Sequence, residues 1–470
     1  APVFFLYYTY FQRLAFLRAG AAGLGSIALQ SLLATDDSAA VAPHFAPRAK
    51  HIIFLHMLGG PSQVDLLDPK PALAKFEGKP MPDSILRGKQ FAFVPKGAGA
   101  LASPYQFAQH GESGAWFSEL VPHLAERADD LTVVRSMQTD EFNHGAGELF
   151  LHTGFGRLGR PTFGSWVSYG LGSLSDSLPT YVVMATGPNT AGNSAWGRGF
   201  LPSIHQGVKF RSGAEPVHYL VNPDGVGRDR QSQVIDGVSA LNRLARERYA
   251  DPEIATRIAQ YEMAFRLQAS GPELMRVEDE PQHVLDAYGA KPGGASYANM
   301  CLLARRMVER GVRFVQVMMA GWDHHTGIYR PGGLPRSCRN MDRPTSALID
   351  DLKQRGLLDE TLVIWTGEFG RTPMVQAISP QGFTQDPGRD HHKDGFSLIL
   401  AGGGIRPGLT YGVTDDFGFE PAENPVHVHD LHATALHLIG MDHTKLTFKH
   451  QGRDFRLTDV HGRVVEELLA

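Results

Sequence analysis

Cysteine is scarce in this chain, which has only Cys301 and Cys338 among 470 residues. Two thiols could pair in an oxidising compartment, but they make no disulfide framework, so stability must come from a hydrophobic core. Cys301 falls in a helical pattern and Cys338 in a loop. An excess of one charge is also missing. The formal net charge is -4 and no Lys/Arg block occurs, which argues against nucleic acid as a partner. Beyond residue 34 no stretch is long and apolar enough to span a bilayer. The glycine loop Gly59-Gly-Pro-Ser-Gln-Val-Asp65 has no following Gly-Lys-Ser/Thr, so it is not a Walker A loop.

What is present is ordinary globular composition, 42% hydrophobic and 20% charged, in a length that suits one large α/β domain with insertions, or two domains. The 52 glycines and 30 prolines imply long shaped loops, and several of the 21 histidines stand beside Asp, a first hint of metal. Residues 1–34 pair an aromatic start with Arg13-Leu-Ala-Phe-Leu17 and an apolar run to Ala34. This is similar to a twin-arginine export signal with the second Arg replaced by Leu14. If retained, the run is long enough to act as a membrane anchor. Residues 1–40 are therefore expected to be signal or anchor plus linker, and residues 41–470 one α/β domain.

The strands are legible as short apolar, β-branched runs: His51–Leu58, Leu131–Arg135, Leu178–Met184, Val312–Met318, Thr361–Trp365 and Phe396–Ala401. Helical spacing marks 119–127, 298–309 and 345–355, and a charged helical insertion is expected over about 228–290. Polar clusters stand at strand ends, where open α/β sheets bind ligands. After the first strand come Gly59, Gly60 and Asp65. After the second come Thr139, Asn143 and His144. Gly321-Trp-Asp-His-His325 follows the fourth; along an extended backbone Asp323 and His325 share one side and His324 takes the other. Gly367-Glu-Phe-Gly-Arg371 follows the fifth, its Glu368 and Arg371 fitting either a metal or anion site or a plain ion pair. Gly388-Arg-Asp-His-His392 precedes Phe396–Ala401 and reaches the same edge if that strand runs antiparallel. Asp with His suits zinc, manganese or iron. Asp430 is expected to cap the helix 433–440.

Jointly these motifs resemble the DUF1501 family of exported bacterial proteins, from about residue 50 to the end. The marks are Gly59–Asp65 with Asp68-Pro-Lys-Pro71, Asn143-His144, Gly321-Trp-Asp-x-His325, Gly367–Pro373, Gly388–His391 and His429–Thr434. That family looks related to the alkaline phosphatase superfamily, with its sulfatases and cofactor-independent phosphoglycerate mutases. The resemblance implies a three-layer α/β sandwich with a central mostly parallel sheet. It also implies one or two divalent ions at the C-terminal sheet edge and attack on phosphorus or sulfur by an activated nucleophile. Carried over residue by residue, it assigns metal binding to Asp323, His325, Glu368 and His391, with Asp65 and Asp390 as helpers. Arg371 would hold the anionic group and Thr139 would be the candidate nucleophile. Asn143-His144 resembles the Asn-Ser-x-x-x-His stretch of the mutases without its Ser.

The sequence also departs from that superfamily. Leu58 or Gly59 stands where an Asp usually follows the first strand. Glu368-Phe369 replaces the late Asp-His, and the Cys/Ser-x-Pro-x-Arg motif of formylglycine sulfatases is absent. Two readings follow. One is an extracytoplasmic, periplasmic metal-dependent hydrolase of small phosphate or sulfate esters. The other is a catalytically degenerate member serving as a binding or scaffold subunit for a protein partner, attached to a membrane complex through residues 1–34.

Overall fold

The computed structural model of the chain describes residues 42–86, 98–211, 271–376 and 386–470, with positions 89, 94, 227, 230, 232–234, 236–238, 240, 241, 263 and 265–268. The expected signal or anchor, residues 1–40, lies outside the described residues. So does much of the expected insertion; its described positions include helical residues at 271–275 and a short helix at Gln282–Tyr288.

A nine-stranded sheet organises the rest. Its strands are β1 (His51–Leu58), β2 (Leu131–Gln138), β3 (Tyr181–Ala185), β4 (Val208–Lys209), β5 (Phe314–Ala320) and β6 (Thr361–Thr366). β7 (Gly370–Val375) and β8 (Arg389–His392) form a separate two-stranded ribbon, and β9 (Phe396–Ala401), β10 (Leu409–Tyr411) and β11 (Val426–His427) complete the sheet. The order is β10-β2-β9-β6-β1-β5-β3-β4, with β11 also on β2. β9 alone runs against the others; it is antiparallel to both β2 and β6. Central strands are buried on both faces, which is why β1 reads His-Ile-Ile-Phe-Leu-His-Met-Leu rather than alternating with polar residues.

Strand alternation divides the core. Ile53, Leu55 and Met57 of β1 pack on one face with α5 (Tyr297–Glu309) and α6 (Leu334–Gln354). Ile52, Phe54 and Leu58 pack on the other with α2 (His144–Thr153), α3 (Phe163–Leu171) and α7 (Val428–Leu438). α1 is the short Gln63–Leu66 turn and α4 is Gln282–Tyr288. The result is the expected α/β three-layer sandwich with a mostly parallel sheet.

Some local expectations change. α6 starts at Leu334, well before Thr345, and runs through Pro344, so Cys338 lies buried in a helix rather than a loop. That helix is anchored across the layer: the Asp342 carboxylate accepts the backbone N–H of His123 and Leu124 at 2.9 and 2.8 Å. Both thiols are free and buried. The N-cap of α7 is His427, and Asp430 completes the cap from the third helical position by accepting His427 N–H at 3.0 Å.

Candidate metal centre

Parallel strands deliver their C-terminal ends to one edge. There β1 turns at Gly59, β5 runs into Gly321–His325, and β6 runs into Gly367–Phe369. Because β9 is antiparallel, the segment before it starts from that edge too. Within the ribbon, His391 pairs with Arg371 across β8 and β7. The first turn of α2 adds His144. These loops lie very close. A Cβ on Gly59 (φ +119) would sit 2.4 Å from Asp323 N, and one on Gly388 would sit 2.0 Å from His325 O. Glycine is needed at both places for close approach.

The structure brings His144, Asp323, His325 and His391 together, with one ligand atom from each, all within 4.8 Å of one another. His325 Nε2 lies 2.8 Å and His391 Nε2 3.3 Å from Asp323 Oδ1, while His144 Nε2 lies 3.2 Å from Asp323 Oδ2 without hydrogen-bonding geometry. Zinc bound at about 2.0–2.1 Å would set tetrahedral ligand atoms about 3.3 Å apart, so little movement is required. Two further observations fit a metal. His144 Nε2, which faces Asp323, is a buried nitrogen with no hydrogen-bond partner among the described residues. And the Nδ1 atoms of His144 and His325 each face an oxygen, Glu368 Oε1 at 2.7 Å and Gln376 Oε1, which turns both Nε2 atoms inward. That outer support is what metal-ligating histidines require. The Asp323 side chain is 44% exposed, so the cluster opens to solvent.

Glu368 is expected among the ligands but stands one layer behind. Its buried carboxylate accepts from Gly59 N–H at 3.0 and 3.1 Å, from His56 Nε2 at 3.1 Å and from His144 Nδ1 at 2.7 Å. The anion received by the Gly59 turn is thus the protein's own. Phe369 follows it, fully buried. Its ring lies 4.5 Å from that of His391 and 5.2 Å from that of His144, forming a floor beneath both.

Electrostatics follow from these contacts. Burial opposes charge on His144, but the carboxylates of Asp323 and Glu368 outweigh it and push its pKa up to about 9. Burial also opposes charge on Glu368 and Asp323. The rings of His144 and His56 reverse this for Glu368; those of His144, His325 and His391, with Arg371, reverse it for Asp323. Both are held well below the usual carboxylate range. His391 is lowered, chiefly by burial.

Other expected residues take structural places. Arg371 cannot clamp a ligand anion, because every arm of its buried guanidinium is engaged. Nε donates to Gly60 O at 3.1 Å, Nη1 to Arg389 O at 2.9 Å, and Nη2 to Gly59 O and to Asp323 Oδ1, the last at 2.5 Å. It braces the edge and orients Asp323. Asp65 lies apart from the cluster, in a fully buried two-pronged pair with Arg389 at 2.8 and 3.1 Å. Asp390 is buried on β8 and its Oδ1 accepts the N–H of His391 at 2.8 Å; it is not one of the four converging groups. Thr139 is buried at the end of β2, its N–H bonded to Lys393 O and its hydroxyl without a hydrogen-bond partner among the described residues. Asn143 is the exposed N-cap residue of α2 and makes no side-chain cap. His324 points away from the cluster, 3.5 Å from Ser337 Oγ, and burial takes its pKa down to about 4. Sequence reasoning missed His56 and Gln376. The signal for His56 was a histidine inside an otherwise apolar buried strand; Gln376 carries no local signal.

Among solved structures, the lipoteichoic acid synthase LtaP from Listeria monocytogenes is 10% identical with TM-score 0.33, covering 90% of this chain and 79% of its own. A TAB5 alkaline phosphatase mutant with Mg bound in its M3 site is 10% identical with TM-score 0.33, covering 77% and 94%. The PsFucS1 sulfatase from Pseudoalteromonas sp. is 13% identical with TM-score 0.32, covering 84% and 68%. At such scores the likeness says nothing about chemistry here. No curated protein matches the chain. The family described as Protein of unknown function (DUF1501) matches residues 49–469, which contain every residue of the cluster, and the chain belongs to that family.

Proposed function

We propose that this chain is a metal-dependent hydrolase-like protein whose centre holds one divalent cation and acts on small phosphate or sulfate esters outside the cytoplasm. The observation that carries it is the convergence of His144, Asp323, His325 and His391 within 4.8 Å, open to solvent. Three imidazoles and one carboxylate suit zinc, manganese or iron. The ester class follows from the resemblance of the strand-end motifs to the superfamily named above.

When bound, a divalent cation supplies Lewis acidity toward an ester oxygen. The chain's own residues prepare the site. Arg371 holds Asp323 in place, Glu368 and Gln376 turn two imidazoles inward, and Phe369 closes the floor against water. Thr139 adds a buried hydroxyl just past the end of β2.

A second reading is favoured by one observation. Arg371 is saturated within the protein and Arg389 is committed to Asp65, Tyr329 and the Thr372 carbonyl, so neither is left to grip an oxyanion. A binding or scaffold protein would keep the metal without turnover. Elemental analysis of purified protein, with a panel of aryl phosphate and sulfate esters on wild type and Asp323→Asn, separates these. The hydrolase reading expects about one transition metal per chain and hydrolysis lost in Asp323→Asn. Metal without hydrolysis of any ester favours the binding reading. Neither metal nor hydrolysis sinks the proposal. Export through residues 1–34 is part of it and is tested by sequencing the N-terminus of the protein recovered from its native cell envelope.

A further inference from the structure

Behind the cluster a row of polar side chains runs into an apolar layer. His56 sits mid-strand in β1, fully buried, with Phe54 and Leu58 on the same face. Burying an imidazole there is unfavourable unless both nitrogens find partners. They do: Nε2 lies 3.1 Å from Glu368 Oε2, and Nδ1 lies 3.0 Å from Nε2 of His152, itself buried in the last turn of α2. The Gln316 amide of β5 follows at 3.4 Å, and the Tyr181 hydroxyl of β3 closes the row on Gln316 at 2.5 Å.

Proton bookkeeping fixes what this row does. An ionised carboxylate only accepts. Glu368 therefore receives Nε2–H of His56, Nδ1–H of His144 and Gly59 N–H. With Nε2 committed, His56 meets Nε2 of His152 through Nδ1, one proton lying between the two nitrogens. Burial holds the His152 pKa well below its ordinary value. With Nδ1 of His144 committed as a donor, the atom that remains free to lose its proton is Nε2, the one facing Asp323.

The geometry points to His56 and His152 as positioning residues that hold the Glu368 carboxylate in place, so that it accepts Nδ1–H of His144 and turns Nε2 of that ring toward a metal ion. Neither touches the four converging groups; they act through Glu368. This also assigns a function to the two buried histidines that packing alone leaves unexplained. The inference rests on the metal reading of the centre, but it concerns a hydrogen bond that exists with or without metal.

Two readouts test it. In metal-free protein labelled with ¹⁵N-histidine, a strongly downfield imidazole N–H resonance is expected for the His144–Glu368 bond, assigned by its loss in His144→Asn. It should persist in Asp323→Asn, vanish in Glu368→Gln and move or broaden in His56→Phe. His56→Gln keeps a donor toward Glu368 and should retain it, which covers the event that His56→Phe misfolds. Zn²⁺ titration should show His56→Phe and His152→Leu keeping the stoichiometry with affinity weakened about 10–100-fold, and Asp323→Asn losing binding. A resonance and Zn²⁺ affinity both unchanged in folded His56→Phe would overturn the inference. If wild type takes up no Zn²⁺, the metal reading falls while the resonance still decides the positioning role.

Discussion

Glu368 keeps a negative charge in full burial because three donors converge on it, and this makes the site's protonation a property of the pair it forms with His144. In the metal-free protein the His144 pKa rises from an ordinary value of about 6.5 to about 9. A raised histidine stabilises the fold fully below its unfolded pKa, and that contribution fades as pH rises through about 9. Glu368, depressed, acts oppositely: its contribution is present above its unfolded pKa and is lost on acidification. The two describe one interaction and count once. Urea melts of apo protein from pH 6 to 10 should therefore show stability falling between about pH 6.5 and about 9 and levelling above, and His144→Asn should flatten the fall. Metal binding needs neutral His144, so Zn²⁺ affinity measured by titration should rise about tenfold per pH unit below pH 9 and then level. Arg371 gives a second residue-scale test. Its planar fork meets four carbonyls and Asp323, a pattern an ammonium cannot copy. Arg371→Lys should lower stability by about 1–3 kcal/mol in denaturant melts, although the charge is retained.

Between elements, the decisive contacts are those that press strand-end loops together. Gly59→Ala would drive a methyl carbon to 2.4 Å from Asp323 N at a φ of +119. The β1 and β5 loops must then part, and bound metal in the purified protein should drop severalfold by elemental analysis. Asp65 and Arg389 tie α1 to β8, the strand that carries His391. Removing either partner leaves a buried charge alone, so Asp65→Asn and Arg389→Met should each lose about 3–5 kcal/mol. The double variant should lose less than their sum, because the two side chains share one interaction. Asp65→Asn should keep its metal stoichiometry, which separates this pair from the ligand set.

For the whole molecule, a ligand held only by the folded state stabilises it in proportion to the logarithm of its concentration. At a hundred times Kd the gain is about 2.7 kcal/mol. Addition of Zn²⁺ should therefore raise Tm and a chelator should lower it. Asp323→Asn should respond to neither, because its four-group cluster has lost the carboxylate whose two oxygens the three imidazoles approach. No helix among the described residues is long and apolar enough to cross a membrane.

By itself the sequence determined the layers and the edge. A sheet buried on both faces writes itself as apolar runs, so His51–Leu58 and Phe396–Ala401 were legible to the residue. Glycine-bounded polar clusters marked where those runs end, and Asp323, His325 and His391 could be named there. Tertiary structure decided which of those polar groups face one another. β1 and β6 are neighbours although some 300 residues separate them, and only strand order and register set the distance from His56 to Glu368. It also decided that Glu368 stands behind the four converging groups, that Asp65 belongs to Arg389, and that Arg371 is used up inside the edge. Periodicity reports which face a residue occupies. It does not report which partner has already claimed its charge, because that depends on a few ångströms between chain segments far apart in sequence.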